Sequence, residues 1–141
     1  DSLKFITKTG KIVYGGGGIM PDVFVPIDTT LMSNAYKRIT AEGHIYDFSC
    51  SFAEKNRMHL QSLSAEDAYQ YCRNNISCKK ITDNETKKLL TECSPTEVER
   101  LDKLMCYYII RNIFGNTAFF EFYNADDTTI QKALEILSTK N

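Results

Sequence analysis

The sequence lacks tryptophan, contains only three prolines and two histidines, and has no apolar run long enough to cross a membrane. A membrane helix needs roughly 20 consecutive apolar residues, so a membrane-spanning protein is not predicted. The 17 basic and 18 acidic residues are mixed along the chain, so the basic face typical of a nucleic-acid-binding protein is lacking. Hydrophobic residues nevertheless make up 43% of the 141 positions, which is enough for a buried core and argues against disorder.

Metal-binding cysteine motifs are also lacking. A structural zinc site needs four nitrogen or sulfur ligands, usually delivered as close pairs, and no CxxC pair is present. We therefore predict no metal and no other cofactor. Most of the thiols are expected to be buried, where they act as small hydrophobic side chains. In an oxidising compartment, a Cys72–Cys78 disulfide is the alternative. The odd count leaves at least one free thiol among Cys50, Cys72, Cys78, Cys93 and Cys106.

No catalytic motif can be identified along the chain. His44 and His59 have no obvious nucleophile partner, and the G-x-S-x-G elbow is absent. A Ser–His–Asp set is defined by geometry, so the sequence alone does not exclude one. Both histidines are interpreted as surface or helix-end residues, and Asp126–Asp127 as a helix cap. The prediction is that this chain contains no catalytic residue.

The composition changes near residue 30. Before it, two β-type segments, residues 3–7 and 11–14, flank Lys8-Thr9-Gly10, which predicts a hairpin with Gly10 at positive φ. A third β-like run covers Val23–Pro26. Beyond residue 30 almost every segment has helical spacing. The predicted fold is mainly α, with an N-terminal β-stub followed by a bundle of about six helices.

Capping signals set the predicted helix boundaries. One helix is expected from about Ser33 to Glu42, stopped by Gly43. Ser64 is predicted to be an N-cap, and capping boxes are predicted to start at Thr82 and Ser94. The helix after Ser94 becomes apolar nearly all round over residues 105–110, as expected of a central buried helix ending at Gly115. A last helix should place one apolar face on Ile130, Ala133, Leu134 and Leu137.

The glycine run Gly15–Gly18 is the most unusual local feature. It does not fit a phosphate-binding P-loop, because Lys11 is followed by Ile12 and the glycines precede a strand-like segment. Glycines here permit positive φ or a close approach of the backbone. The run leads directly into Ile19-Met20-Pro21-Asp22.

This stretch resembles a signature of the carboxyl-terminal processing (tail-specific) serine proteases, approximately G-[RK]-x-I-x-G-x-G-I-x-P-D-x-x-V. One extra glycine is present, a small departure. The helical remainder is similar to the C-terminal extension of the Bacteroidetes-type members, notably around residues 43–48, 53–57, 110–115 and 124–134. The residues interpreted as the family motif, structural or groove-lining, are Gly15, Gly17, Gly18, Ile19, Pro21 and Asp22.

The resemblance implies a serine endopeptidase with a Ser–Lys dyad, in which burial depresses the lysine pKa so that it can activate the serine. It also implies a PDZ domain that captures protein or peptide substrates by their C-termini, and a periplasmic or cell-envelope location. In the family, all of these elements precede the motif. We therefore expect them upstream of Asp1, where the chain begins directly on a β-type segment.

Two domains are predicted on this basis. Residues 1–27 would be the terminal β-elements of the protease core, and residues 28–141 a helical domain with a scaffold or self-association role. The aromatic residues near Tyr107–Tyr123 are core or interface residues, and a homo-oligomer is left open. Two alternatives remain: a non-enzymatic helical adaptor domain, and an independent enzyme that would hydrolyse substrates by itself.

Overall fold

The computed structural model describes residues 3–15, 21, 23–26 and 32–139. The predicted hairpin is confirmed: β1 (Leu3–Ile6) and β2 (Ile12–Gly15) pair antiparallel, with Phe5 opposite Val13. The Thr7 N–H donates to the Lys11 carbonyl at 2.8 Å, and Gly10 closes the turn with φ of 82°. That positive φ lies in the left-handed region that glycine adopts without steric cost.

The third predicted strand is wrong. Val23 and the three residues after it have no strand structure in the described part of the chain. A β-like sequence becomes a strand only when a neighbouring strand supplies hydrogen bonds. Among the described residues, the sheet consists of β1 and β2 alone.

The described ranges contain eight α-helices and one 3₁₀ turn, against about six helices expected. The two additional helices are a short one that begins after a single-residue break at Asn56, and one that begins directly after Gly115. The helices are α1 (Asn34–Ala41), α2 (His44–Lys55), α3 (Arg57–Gln61), α4 (Ala65–Asn75), α5 (Asn84–Glu92), α6 (Pro95–Phe114), α7 (Asn116–Ala125) and α8 (Thr128–Ser138), with the 3₁₀ turn at Cys78–Lys80.

Side-chain caps begin most of these helices where the sequence predicted. Ser64 accepts a hydrogen bond from the Asp67 N–H at 3.1 Å, and Ser94 forms the predicted capping box with Pro95 as the first helical residue. The cap predicted at Thr82 is wrong by one residue. Asp83 is the N-cap, and its carboxylate accepts from both the N–H and the hydroxyl of Thr86. Those bonds lower the Asp83 pKa, because they stabilise its charged form.

The central position predicted for the helix after Ser94 is confirmed. α6 packs against α2, α4 and α7, and its buried hydrophobic side chains are Leu101, Met105, Cys106, Tyr107, Ile109 and Ile110. Around it the core is completed by residues of α1 to α5 and α7. None of the helices in the described ranges is both long and apolar enough to span a membrane.

Residues near the two ends of the described chain lie outside this core. The first residue described as buried is Ala35, in α1, and none of the hairpin side chains from Lys4 onwards is buried. At the other end, α8 has no buried residue either, although it carries the predicted apolar face. Both segments therefore present apolar side chains to the outside of the helical bundle.

Candidate functional site

The structure describes only part of the predicted motif. Gly15 is the last residue of β2 and Pro21 lies exposed beyond it. The other predicted motif residues lie outside the described residues: Gly17, Gly18, Ile19 and Asp22. The hairpin directly before the motif is therefore the nearest element that the structure describes.

The hairpin carries exposed apolar side chains on both faces. Side chains alternate between faces along a strand, so Phe5 and Val13 share one face while Ile6, Ile12 and Tyr14 share the other. Phe5 is 53% exposed and Ile6 is 70% exposed. An isolated two-stranded hairpin is marginally stable in water, and apolar residues on both faces are typical of a strand covered from both sides.

The two histidines lie where the sequence placed them. His44 begins α2, with its Nε2 3.7 Å from a Glu42 carboxylate oxygen. His59 is exposed in α3, and its ring meets that of Tyr71 edge-on at 4.9 Å. The Ser62 hydroxyl donates to the backbone carbonyl of His59 at 2.7 Å. Within the described ranges, however, neither imidazole ring is hydrogen-bonded to a serine or cysteine.

A cleft of about 450 Å³ beside α2 is lined by His44, Asp47, Ser51 and Asp83. These residue types could in principle form a catalytic set. Asp83, however, is engaged in capping α5. No hydrogen bond joins Ser51 to a base in the part of the chain that the structure describes. No group of three potential metal ligands was found there either.

A second cleft, of about 470 Å³, lies where α6, α7 and α8 meet, and its lining includes Arg100, Tyr107, Tyr123 and Asp126. Asp126 accepts hydrogen bonds from the Tyr107 hydroxyl and, at 2.9 Å, from the Lys103 ammonium group. These two donors hold the Asp126 pKa below its usual range, while burial and the carboxylate raise the Tyr107 pKa. The prediction that Asp126–Asp127 caps the last helix is confirmed through Asp127, which accepts from the N–H groups of Thr129 and Ile130.

Aromatic rings fill the space between α4, α6 and α7. Tyr69 stacks on Phe122 with ring centroids 4.6 Å apart, and Tyr107 meets Tyr123 edge-on at 5.8 Å. These are offset-stacked and edge-to-face contacts of the kind that stabilise aromatic cores. The interpretation of this aromatic-rich region as packing is thereby confirmed for these rings. Two rings of this region remain partly exposed, Phe120 at 52% and Tyr123 at 42%.

Glu97 is a buried charged residue that accepts two backbone hydrogen bonds, of which the sequence predicted one. One carboxylate oxygen accepts from the Ser94 N–H at 2.7 Å, which completes the predicted capping box. The other accepts from the Ser33 N–H at 2.6 Å, across 64 positions of sequence. These backbone donors lower the Glu97 pKa to about 2. One carboxylate therefore holds the N-caps of both α1 and α6.

The Cys72–Cys78 disulfide, which the sequence analysis gave as an alternative, is not present in the structure. All five cysteines are free thiols. The extended residues after α4 carry Cys78 towards Val98 and Asp102, and its N–H donates to the Asp102 carboxylate at 2.6 Å. Burial, with Asp102 as a second cause, raises the pKa of Cys78 to about 12. Cys72 lies fully buried on α4.

Comparison with known proteins adds no assignment. No protein-family model matches the chain, and neither a curated protein nor a solved structure is significantly similar to it.

Proposed function

We propose that the chain is the C-terminal part of a serine-type endopeptidase that processes protein C-termini in the bacterial periplasm or cell envelope. Residues 1–27 would complete the β-core of the protease, and residues 28–141 would form a helical scaffold. The reactive serine and lysine would both lie upstream of Asp1. This chain alone would then be inactive, and it would require no cofactor.

The observation that carries the proposal is the hairpin with two uncovered apolar faces, joined to the Gly15–Asp22 motif. Phe5 on one face and Ile6 on the other are exposed, and covering both would need further strands or helices. A protease core that continues upstream would supply that cover. The motif supports a core of the tail-specific protease kind, because Gly-Ile-x-Pro-Asp after a hairpin resembles the signature described above.

The test compares the full open reading frame with this chain alone, on a reporter protein that ends in an apolar tail. The longer protein should shorten the reporter in mass spectra, and this chain should not. Alanine in place of the upstream serine should reduce cleavage by at least about 10³-fold. Hydrolysis by this chain alone, or a reading frame without a serine and a following lysine ahead of Asp1, would contradict the proposal.

The scaffold half of the proposal rests on the exposed apolar residues of α7 and α8. Phe120, Tyr123, Leu134 and Leu137 are all exposed, although the first two lie beside a well-packed aromatic cluster. Exposed apolar patches of this kind mark interaction surfaces. Light scattering should find a dimer or larger assembly of the full-length protein at micromolar concentration. Strict monomers of both the full-length protein and this chain would remove self-association.

The second candidate is a non-enzymatic helical adaptor, favoured by the same exposed residues of α7 and α8. It predicts a reading frame in which only a signal peptide precedes the hairpin. It also predicts that the longer protein leaves the reporter intact. The cleavage experiment therefore separates the two functions directly.

A further inference from the structure

The cleft where α6, α7 and α8 meet contains a guanidinium group without a partner. Arg100 lines this cleft and is partly buried, yet within the described ranges it forms no hydrogen bond and no ion pair. The other four arginines each donate to a side-chain oxygen: Arg38, Arg57, Arg73 and Arg111. We propose that this cleft binds a monocarboxylate with an apolar body, whose carboxylate accepts hydrogen bonds from Arg100.

The neighbours of Arg100 on α6 already have a partner. Arg100, Lys103 and Tyr107 follow one another at spacings of three and four residues, so they lie along one side of the helix. A smaller hollow of about 240 Å³ joins the same three side chains to Asp126. Asp126 accepts from the Lys103 ammonium group and from the Tyr107 hydroxyl. On this side of α6, Arg100 therefore keeps its donors available to a ligand.

The charges of the lining favour a ligand with a single negative charge. A guanidinium group presents its N–H donors in a planar fork that matches the two oxygens of a carboxylate. Burying part of such a group without an acceptor costs free energy, which a bound carboxylate would offset. The positive charges of Arg100 and Lys103 are matched by Asp126 and Asp127, so a phosphate dianion would meet no net positive charge.

The rest of the lining suits an apolar group. The rings of Tyr107 and Tyr123 lie in the wall of the cleft, together with Pro26 and Met32. The volume of about 470 Å³ is within the range of roughly 300–1,000 Å³ that is usual for small-molecule sites. A free carboxylic acid and the carboxyl end of a peptide both present this combination of a carboxylate with an apolar body.

The test titrates 4-phenylbutyrate into the ¹⁵N-labelled chain and follows backbone amide chemical shifts. We expect a dissociation constant on the order of 1 mM, as is usual for a ligand of this size, with the largest shifts in residues 100–107 and 123–129. The neutral 4-phenylbutyramide should bind at least about tenfold more weakly, because it lacks the charged acceptor. This measurement does not depend on the proposed protease activity.

A second pair of probes distinguishes the two sources of the carboxylate. The peptide acetyl-Ala-Ala-Phe is compared in its free-acid form and as its C-terminal amide. In both pairs the acid should bind more tightly than the amide. A peptide acid that binds more tightly than 4-phenylbutyrate assigns the site to peptide ends, and one that binds more weakly assigns it to free acids.

Matched arginine variants locate the site. Arg100→Gln should weaken 4-phenylbutyrate binding at least about tenfold, and it should leave the fold intact because the side chain has no partner to lose. Arg57→Gln removes the same charge from a residue that does not line the cleft, and it should bind like the unsubstituted chain.

Three results would overturn the proposal. The first is equal binding of acid and amide by the unsubstituted chain, a comparison that needs no variant. The second is an Arg100→Gln chain that binds 4-phenylbutyrate as tightly as the unsubstituted chain. The third is inorganic phosphate that shifts the same amides at a lower concentration than 4-phenylbutyrate does.

Discussion

The Leu101→Ala variant is expected to lose about 2–5 kcal/mol of unfolding free energy. Leu101 has no exposed surface and lies on α6, which contacts more of the other helices than any neighbouring element does. Truncating it removes buried methyl groups and leaves a cavity that rigid neighbouring helices cannot fill completely. Urea denaturation followed by far-ultraviolet circular dichroism measures the loss, which should appear as a lower midpoint with an unchanged slope.

Leu137→Ala is the matched control. It removes the same atoms from another helix, but Leu137 on α8 is 63% exposed. Its effect should stay within about 0.5 kcal/mol, because a truncated surface residue leaves no cavity. A loss at Leu137 as large as that at Leu101 would contradict the assignment of α6 as the centre of the core.

Glu97→Gln is expected to lower the melting temperature by roughly 5 °C or more. The native carboxylate accepts one hydrogen bond from the Ser33 N–H and one from the Ser94 N–H. A glutamine has a single side-chain oxygen, so one of these backbone donors would face an NH₂ group instead of an acceptor. The result should be a less stable N-terminus of α1 or of α6, measured by thermal unfolding at neutral pH.

The contribution of Glu97 to folding stability depends on pH with a definite sign. The backbone donors lower the Glu97 pKa from about 4.5 to about 2, so the folded state holds this carboxylate charged where the unfolded state would protonate it. Its contribution to stability is complete above the unfolded value and is lost as the pH falls from about 4.5 towards 2. The unsubstituted chain should therefore destabilise more steeply than Glu97→Gln across this window.

Glu99→Gln provides the comparison for both measurements. Glu99 lies on the same helix but is mostly exposed, and its ion pair with Arg73 is long, at 3.5 Å. Exposed pairs of this kind contribute little. Equal shifts in melting temperature for the Glu97 and Glu99 variants would show that the bridge between α1 and α6 is not what stabilises the two N-termini.

Features encoded by local sequence were predicted well. The hairpin turn at Gly10, the stop at Gly43 and the capping box at Ser94 each depend on residues a few positions apart, and all three are present. Local chemistry decides such features, because caps and turns are satisfied within a single turn of chain. The same reasoning misplaced a cap only where Thr82 and Asp83, two adequate capping residues, stand side by side.

Features that depend on distant parts of the chain were not predicted. The β-like run at Val23–Pro26 needed a partner strand, and the Cys72–Cys78 spacing did not reveal that Cys78 lies against Val98 and Asp102. The contact from Glu97 to Ser33 had no sequence signal beyond the capping box itself. The proposed function has no such local test, because it depends on a resemblance of the Gly15–Asp22 motif, most of which lies outside the described residues.

The hydrogen bond from the Ser33 N–H to Glu97 also determines how a pulling force on the N-terminal segment would be transmitted to the helices. Ser33 caps α1, and its N–H is bonded to a side chain of the central helix. Tension applied at Ser33 would therefore load two helices at once: the first turn of α1 through the covalent backbone, and the first turn of α6 through one charge-assisted hydrogen bond. In mechanical terms, the two helix starts would resist such a force together.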